Sequence, residues 1–189
     1  MEKFINFSSK IVPLDVENID TDQIIPARFL TSTTNSGYSD ALFNDWRKNA
    51  DFVLNQPQYK DARILLTKKN FGCGSSREHA AWALRDYGFK AVLAPSFGDI
   101  FRMNALKNGL LIIQLAQEQI DALFAEQAQN TELEVTLDLV NQTIKYGPTI
   151  VSFEIDPFRK LCMVNGYDDL EYMVSKMDKI KAYEQKYSK

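Results

Sequence analysis

At 189 residues, with 45% hydrophobic and 25% charged side chains, the chain has the size and make-up of a folded domain rather than of a disordered polymer. A net charge of -3, from 22 basic and 25 acidic residues, offers no general attraction to nucleic acid or to an anionic membrane, and no apolar run reaches the roughly 20 residues that a spanning helix needs. Cys73 and Cys162 are too few for a disulfide scaffold, lack zinc-site spacing, and fall short of the thiolate set that usually holds an iron-sulfur cluster.

The N-terminus has no signal-peptide pattern, so a cytoplasmic location is expected. Phe4 to Pro13 alternates loosely and predicts an edge or entry strand. Leu14 to Asp22 is an acidic loop whose residues lack the glycine and distal glutamate of an EF-hand. Thr31 to Tyr38 (TSTTNSGY) is small and polar and predicts a surface loop. Asp40 to Tyr59, rich in aromatic residues, predicts a short helix and then an irregular wrap around the core, with Arg47 as an exposed helix residue.

Ala62 to Thr67 (ARILLT) has the length and branching of a buried strand, and Asn70 to Ala81 (NFGCGSSREHAA) follows it. Gly72 and Gly74 flank Cys73 and allow positive φ and close approach of a ligand to the main chain. Ser75 and Glu78 have the spacing of a capping box, so Ser75 is expected to open a helix running to Tyr87. The N–H groups of such a turn seat a carboxylate or oxyanion, and Ser75, Ser76 and Arg77 stand beside that seat. A cap needs only one of those serines. Cys73 with His79, the single histidine, is an alternative nucleophile and base, provided that His79 faces back across the loop.

Further along, the spacing predicts a strand at Ala91 to Ala94, a helix at Phe97 to Lys107, a strand at Leu110 to Leu115 and a helix at Gln117 to Ala128. Strands alternating with helices imply a parallel core, and right-handed crossovers would place the first two helices on one face. Leu133 to Leu139, Thr143 to Tyr146 and Ile150 to Ile155 then predict an antiparallel meander. Pro157 to Val164 reads as a helix, and a final helical tail covers 168–189, its Lys-rich face balanced by Asp178 and Glu184. The expected fold is α/β, one domain over 1–189, with a mixed sheet combining a parallel core and an antiparallel flank.

The run NFGCGSSREHAA resembles the motif of the swivel domain in the aconitase superfamily. Ile19 to Pro26 (IDTDQIIP) and Ala41 to Arg47 (ALFNDWR) are similar to segments of the small-subunit family of 3-isopropylmalate dehydratases, and the likeness covers most of the chain. The resemblance implies a β/β/α swivel fold and a hydro-lyase active only with a separate large subunit that carries a 4Fe-4S cluster, no cofactor or metal being held by this chain. It implies isomerisation of 2-isopropylmalate to 3-isopropylmalate in leucine biosynthesis, with a small dicarboxylate as substrate. By position in the motif, Ser75 would be the proton-abstracting base, Ser76 and Arg77 substrate contacts, and Asp22, Gly72 and Gly74 supports.

In aconitase the stretch corresponding to Thr31, Ser32, Thr33 and Thr34 supplies an arginine to the third carboxylate of a tricarboxylic substrate. The absence of arginine from 31–38 fits a substrate whose third arm is an alkyl group. A related hydro-lyase small subunit, of homoaconitase or citramalate isomerase type, and a non-catalytic binding module of the same fold are the alternatives.

Overall fold

The computed structural model describes residues 1–30 and 35–187. Its centre is a mixed seven-stranded sheet in the order β4-β3-β2-β1-β5-β6-β7. β1 (Phe7–Leu14) pairs parallel with β2 (Ile64–Thr67), which pairs parallel with β3 (Ala91–Ala94) and it in turn with β4 (Leu111–Gln114). On the other side β1 pairs antiparallel with β5 (Glu134–Asp138), followed by β6 (Thr143–Tyr146) and β7 (Thr149–Ser152). The α/β class, the parallel core and the antiparallel flank are thus as expected.

β1 enters the sheet at its seam, which corrects the edge alternative of the sequence reading and keeps the entry strand. Its first half, Phe7 to Lys10, pairs with β5, and its second half, Ile11 to Leu14, pairs with β2. The loose alternation has its cause there: one half belongs to a sheet with a solvated face, and the other to a doubly covered core. Pro13 is tolerated because its residue pairs only toward β2. The buried Ser9 hydroxyl fixes the seam by accepting the Arg63 N–H at 2.8 Å while donating to the Lys10 carbonyl.

β2 and β3 are buried along their whole length, as strands covered on both faces must be. The cover comes from α2 (Glu78–Tyr87) and α3 (Asp99–Lys107), which pack together as the crossover rule required, and from α4 (Gln117–Gln129), which crosses β1, β2 and β3. A short helix, α1 (Thr21–Ile24), follows β1. α5 (Pro157–Asn165), with Pro157 in its first turn and the Asp156 carboxylate accepting the Arg159 N–H, follows the meander.

Two further expectations are corrected. Asp40 to Tyr59 contains no α-helix; it wraps the core as separate 3-10 turns at Ser39–Ala41, Trp46–Lys48, Val53–Asn55 and Pro57–Tyr59. Asparagine side chains take over its backbone bonding: Asn55 donates to the carbonyls of Arg47 and Asn49, and Asn44 to that of Asp40. Its aromatic residues still pack inward, with Phe43 stacked on Trp46 at 5.3 Å and Phe52 edge-on to both. The tail is two helices, α6 (Asp169–Val174) and α7 (Met177–Tyr187), and α7 buries none of its residues, as a solvated face predicts.

Candidate functional site

Three loops leave the carboxyl ends of adjacent parallel strands and meet at one place: 15–20 after β1, 68–77 after β2 and 95–98 after β3. Loops at that end of a parallel sheet are close together and free to carry chemistry. They are tied by backbone bonds. The Gly72 N–H donates to the Ile19 carbonyl at 2.7 Å, the Thr21 N–H to the Cys73 carbonyl at 3.0 Å, and the Gly98 N–H to the Phe71 carbonyl at 2.9 Å.

The glycines set the path of the middle loop. Gly72 has φ of +73°, and a Cβ on it would lie 2.3 Å from the Phe101 ring, so a side chain is excluded by both backbone and packing. Gly74 has φ of +88° and turns the chain out to the surface, where Ser75 and Ser76 are exposed. Gly98 makes the approach possible from the other side: a Cβ there would meet the Gly72 carbonyl oxygen at 2.4 Å. Nothing in the 95–98 sequence marks Gly98 beforehand, because its role is set by a loop 26 residues away in the chain, the separation also of the Asn70 N–H to Ser96 hydroxyl bond at 2.9 Å.

The expected capping box does not form. Arg77 occupies the N-cap of α2 in extended backbone (φ -113°, ψ 107°), and no side chain caps the helix. A tertiary contact takes the Glu78 carboxylate, and the backbone at Ser75 is tied to α1 instead of opening α2. The Ser75 carbonyl accepts from the Thr21 hydroxyl at 3.1 Å and from the Arg77 N–H at 2.9 Å, while the Glu78 carboxylate accepts from the Asn108 amide at 2.7 Å. Asn108 in turn accepts from the Trp82 indole N–H at 2.9 Å, which ties the first two turns of α2 to the end of α3. Ser75, Ser76 and Arg77 therefore precede the helix instead of forming its first turn. They stay beside its unpaired N–H end, with more freedom to face outward.

Asp22 and Arg77, 55 residues apart, are joined by a hydrogen-bonded ion pair between Oδ1 and Nη1. The pairing follows from α1. Thr21 and Ile24 point inward, Asp20 caps the helix by accepting the Gln23 N–H at 2.7 Å, and Asp22 is left facing outward toward the motif loop. The Arg77 hydrogen bond holds the Asp22 carboxyl below the usual carboxylate range. The Arg77 side chain is mostly covered, at 18% exposure, whereas that of Asp22 is 55% exposed and within reach of water.

The Cys-His alternative finds no support. Burial pushes the Cys73 thiol up, and Asp20 adds to it, the reverse of an activated thiolate. His79 lies edge-on to Tyr38 at 5.2 Å and beside Trp82 at 4.6 Å, in an aromatic cluster on α2. Arg47 is half-buried on a 3-10 turn, its guanidinium over the Tyr87 ring and donating to the Ser39 carbonyl, so it holds structure together. Thr31, Ser32, Thr33 and Thr34 lie outside the described residues.

Among the described residues no group of three or more His, Cys, Asp or Glu side chains is arranged to hold a metal ion. A 4Fe-4S cluster does not fit the donors present: Cys162 is buried on α5, its thiol also pushed up by burial, and Cys73 sits in the motif loop. No helix among them is long and apolar enough to cross a membrane.

The family model for the aconitase C-terminal domain matches residues 1–118, which include all three loops. The chain belongs to that family. It is 51% identical to the 3-isopropylmalate dehydratase small subunit of Cytophaga hutchinsonii over 192 residues, covering 97% of this chain and 95% of the relative. Its likeness to the protein of the same name in Christiangramia forsetii is also 51%, over 98% and 94% of the two chains. The crystal structure of 3-isopropylmalate dehydratase from Methanocaldococcus jannaschii superposes with a TM-score of 0.70 at 24% identity, over 95% of this chain and 99% of that one, and shares its fold. In this family member the site expected from sequence is one surface: Ser75, Ser76, Arg77 and Asp22 come together, carried by Gly72 and Gly74. Thr21, Gly98 and Asn108, which sequence reasoning missed, hold it in place.

Proposed function

We propose that this chain is the small subunit of a 3-isopropylmalate dehydratase, converting 2-isopropylmalate to 3-isopropylmalate through isopropylmaleate in leucine biosynthesis, in the cytoplasm and together with an iron-sulfur large subunit. The reading is supported by full-length likeness to small subunits of that name and, in the site itself, by an exposed Ser75 beside a hydrogen-bonded Asp22–Arg77 pair. The chain acts as one swivel-type unit over 1–189, with 168–189 as its tail.

The reaction requires a base to take a proton from carbon while the hydroxyl group departs from the neighbouring carbon. Ser75 is that base. Its hydroxyl is a weak one by itself, and preorganised N–H dipoles at the head of α2 and the cation of Arg77 lower the cost of its anion. Arg77 takes a substrate carboxylate, for which the Asp22 carboxylate, bonded through one oxygen, stands in while no substrate is bound. Thr21, bonded to the Ser75 carbonyl, fixes the height of the base above the loop. Departure of the hydroxyl is assigned to the large subunit's 4Fe-4S cluster, for which this chain has no ligand set. Thr31, Ser32, Thr33 and Thr34 are the proposed specificity loop, whose lack of arginine suits a substrate with an alkyl third arm.

The test is reconstitution with the large subunit and assay on 2-isopropylmalate, homocitrate and citramalate in parallel. The expected result is preference for 2-isopropylmalate, with turnover lost in Ser75→Ala while the two subunits still co-purify. Preference for another acid overturns the substrate, and full turnover by Ser75→Ala overturns the base and leaves a binding module.

A further inference from the structure

At the other end of α2 from Ser75 lies a cavity of about 670 Å³, in the size range of small-molecule sites. Its walls are the N-terminal arm, the turn before β2, the last turn of α2 with the start of β3, and the end of α3. Its charge is one-sided. Lys3, Lys60, Arg63, Arg85 and Lys90 line it, against Glu2 and Asp61 as the only carboxylates, in a chain of net charge -3. Lys3, Lys60 and Arg63 make no ion pair with another described residue. Lys90 meets Glu2 only at 3.9 Å, and Glu2 is 83% exposed and easily displaced. Cations gathered around one opening repel each other and focus a field that attracts a counter-anion.

We infer that this cavity binds a small polyanion, carrying phosphate or several carboxylates, at a site separate from the Ser75 surface. The aromatic residues of the wall narrow the class. Tyr87 is stacked on Phe89 at 5.5 Å on one side and carries the Arg47 guanidinium at 5.2 Å, its hydroxyl donates to the Leu54 carbonyl, and Phe89 is buried. Neither of these two rings leaves a face to stack a nucleobase, and Phe4, the third aromatic residue of the wall, is set edge-on to Phe7 at 5.6 Å, so recognition is carried by charge. Lys3, Lys60 and Arg63 make direct contacts. Arg85, held by Asp86 and the Asn35 carbonyl, contributes its field from a fixed position.

Calorimetric titration of the full chain with pyrophosphate and, separately, with tricarballylate tests the inference and tells the two sources of polyanion apart. At least one binds, more weakly as KCl is raised from about 50 to 300 mM. The Lys3→Glu, Lys60→Glu double variant, changed at two exposed positions, weakens that binding about tenfold or more, and the milder Lys3→Gln, Lys60→Gln pair weakens it less. Arg77→Ala leaves it unchanged. No binding up to about 10 mM of either anion, binding indifferent to the charge reversal, or binding lost in Arg77→Ala overturns the inference.

Discussion

The two halves of the sheet share a strand and divide the work. In the parallel half, β2 and β3 are buried on both faces, and every connection begins at the carboxyl end of a strand, so three loops converge whether or not they are polar. In the antiparallel half, β5, β6 and β7 are joined by tight turns, one face is solvated, and the connections are too short to carry side chains toward one another. A site needing groups from distant parts of the chain, such as Asp22 and Arg77, therefore forms in the first half. The second half contributes Leu137 and Ile144 to the core and completes the seam at β1.

If that division holds, changes at exposed positions of the parallel half cost activity, and changes at buried positions of the antiparallel half cost stability. The largest effect is expected from Ser75→Ala: turnover of the reconstituted enzyme falls about 10²–10⁴-fold, with a thermal midpoint matching the parent chain. Equal losses of activity and stability would erase the comparison. Leu137→Ala, at a fully buried position of β5, removes ~2–5 kcal/mol of folding free energy. Chemical denaturation measures it, and turnover per folded molecule stays at the parent value.

Two substitutions within the parallel half sharpen the picture. Gly98→Ala sets a methyl group against the Gly72 carbonyl, and overpacking of that kind costs about 1–3 kcal/mol. Because the strain falls on the motif loop, activity drops as well, unlike Leu137→Ala. Arg77→Lys keeps the charge and loses the two-pronged geometry offered to a substrate, so kcat/KM falls while unfolding changes by about 1 kcal/mol or less; near-parent kcat/KM would remove Arg77 from the carboxylate site.

The smallest effect concerns pH. Asp22 has its carboxyl lowered from the ordinary 3.8, so its pair with Arg77 contributes stability that is fully present above about pH 4 and is lost as pH falls through the lowered value. Exposure and solvent screening limit the contribution to ~1 kcal/mol or less. Asp22→Asn should therefore differ from the parent in urea midpoint at pH 6 and converge with it in acid. A gap that widens on acidification would give the pair the wrong sign.

Local pattern determined much of this protein. The short, largely apolar runs ILLT and AVLA announce doubly covered strands, Pro157 announces the start of α5, and two glycines around Cys73 ahead of a helical pattern announce a loop where a ligand can reach backbone. Those signals survive because each depends on residues within a few positions of one another. Tertiary structure decided the rest. Ser75 and Glu78 have capping-box spacing, yet Asn108 takes the Glu78 carboxylate and Thr21 ties down the Ser75 carbonyl; aromatic-rich Asp40 to Tyr59 reads as starting with a short helix, yet its asparagines bond its own carbonyls. Asp22 meets Arg77, and Gly98 meets Gly72, only because parallel strands bring distant loops to one end of the sheet, and no spacing along the chain encodes that distance.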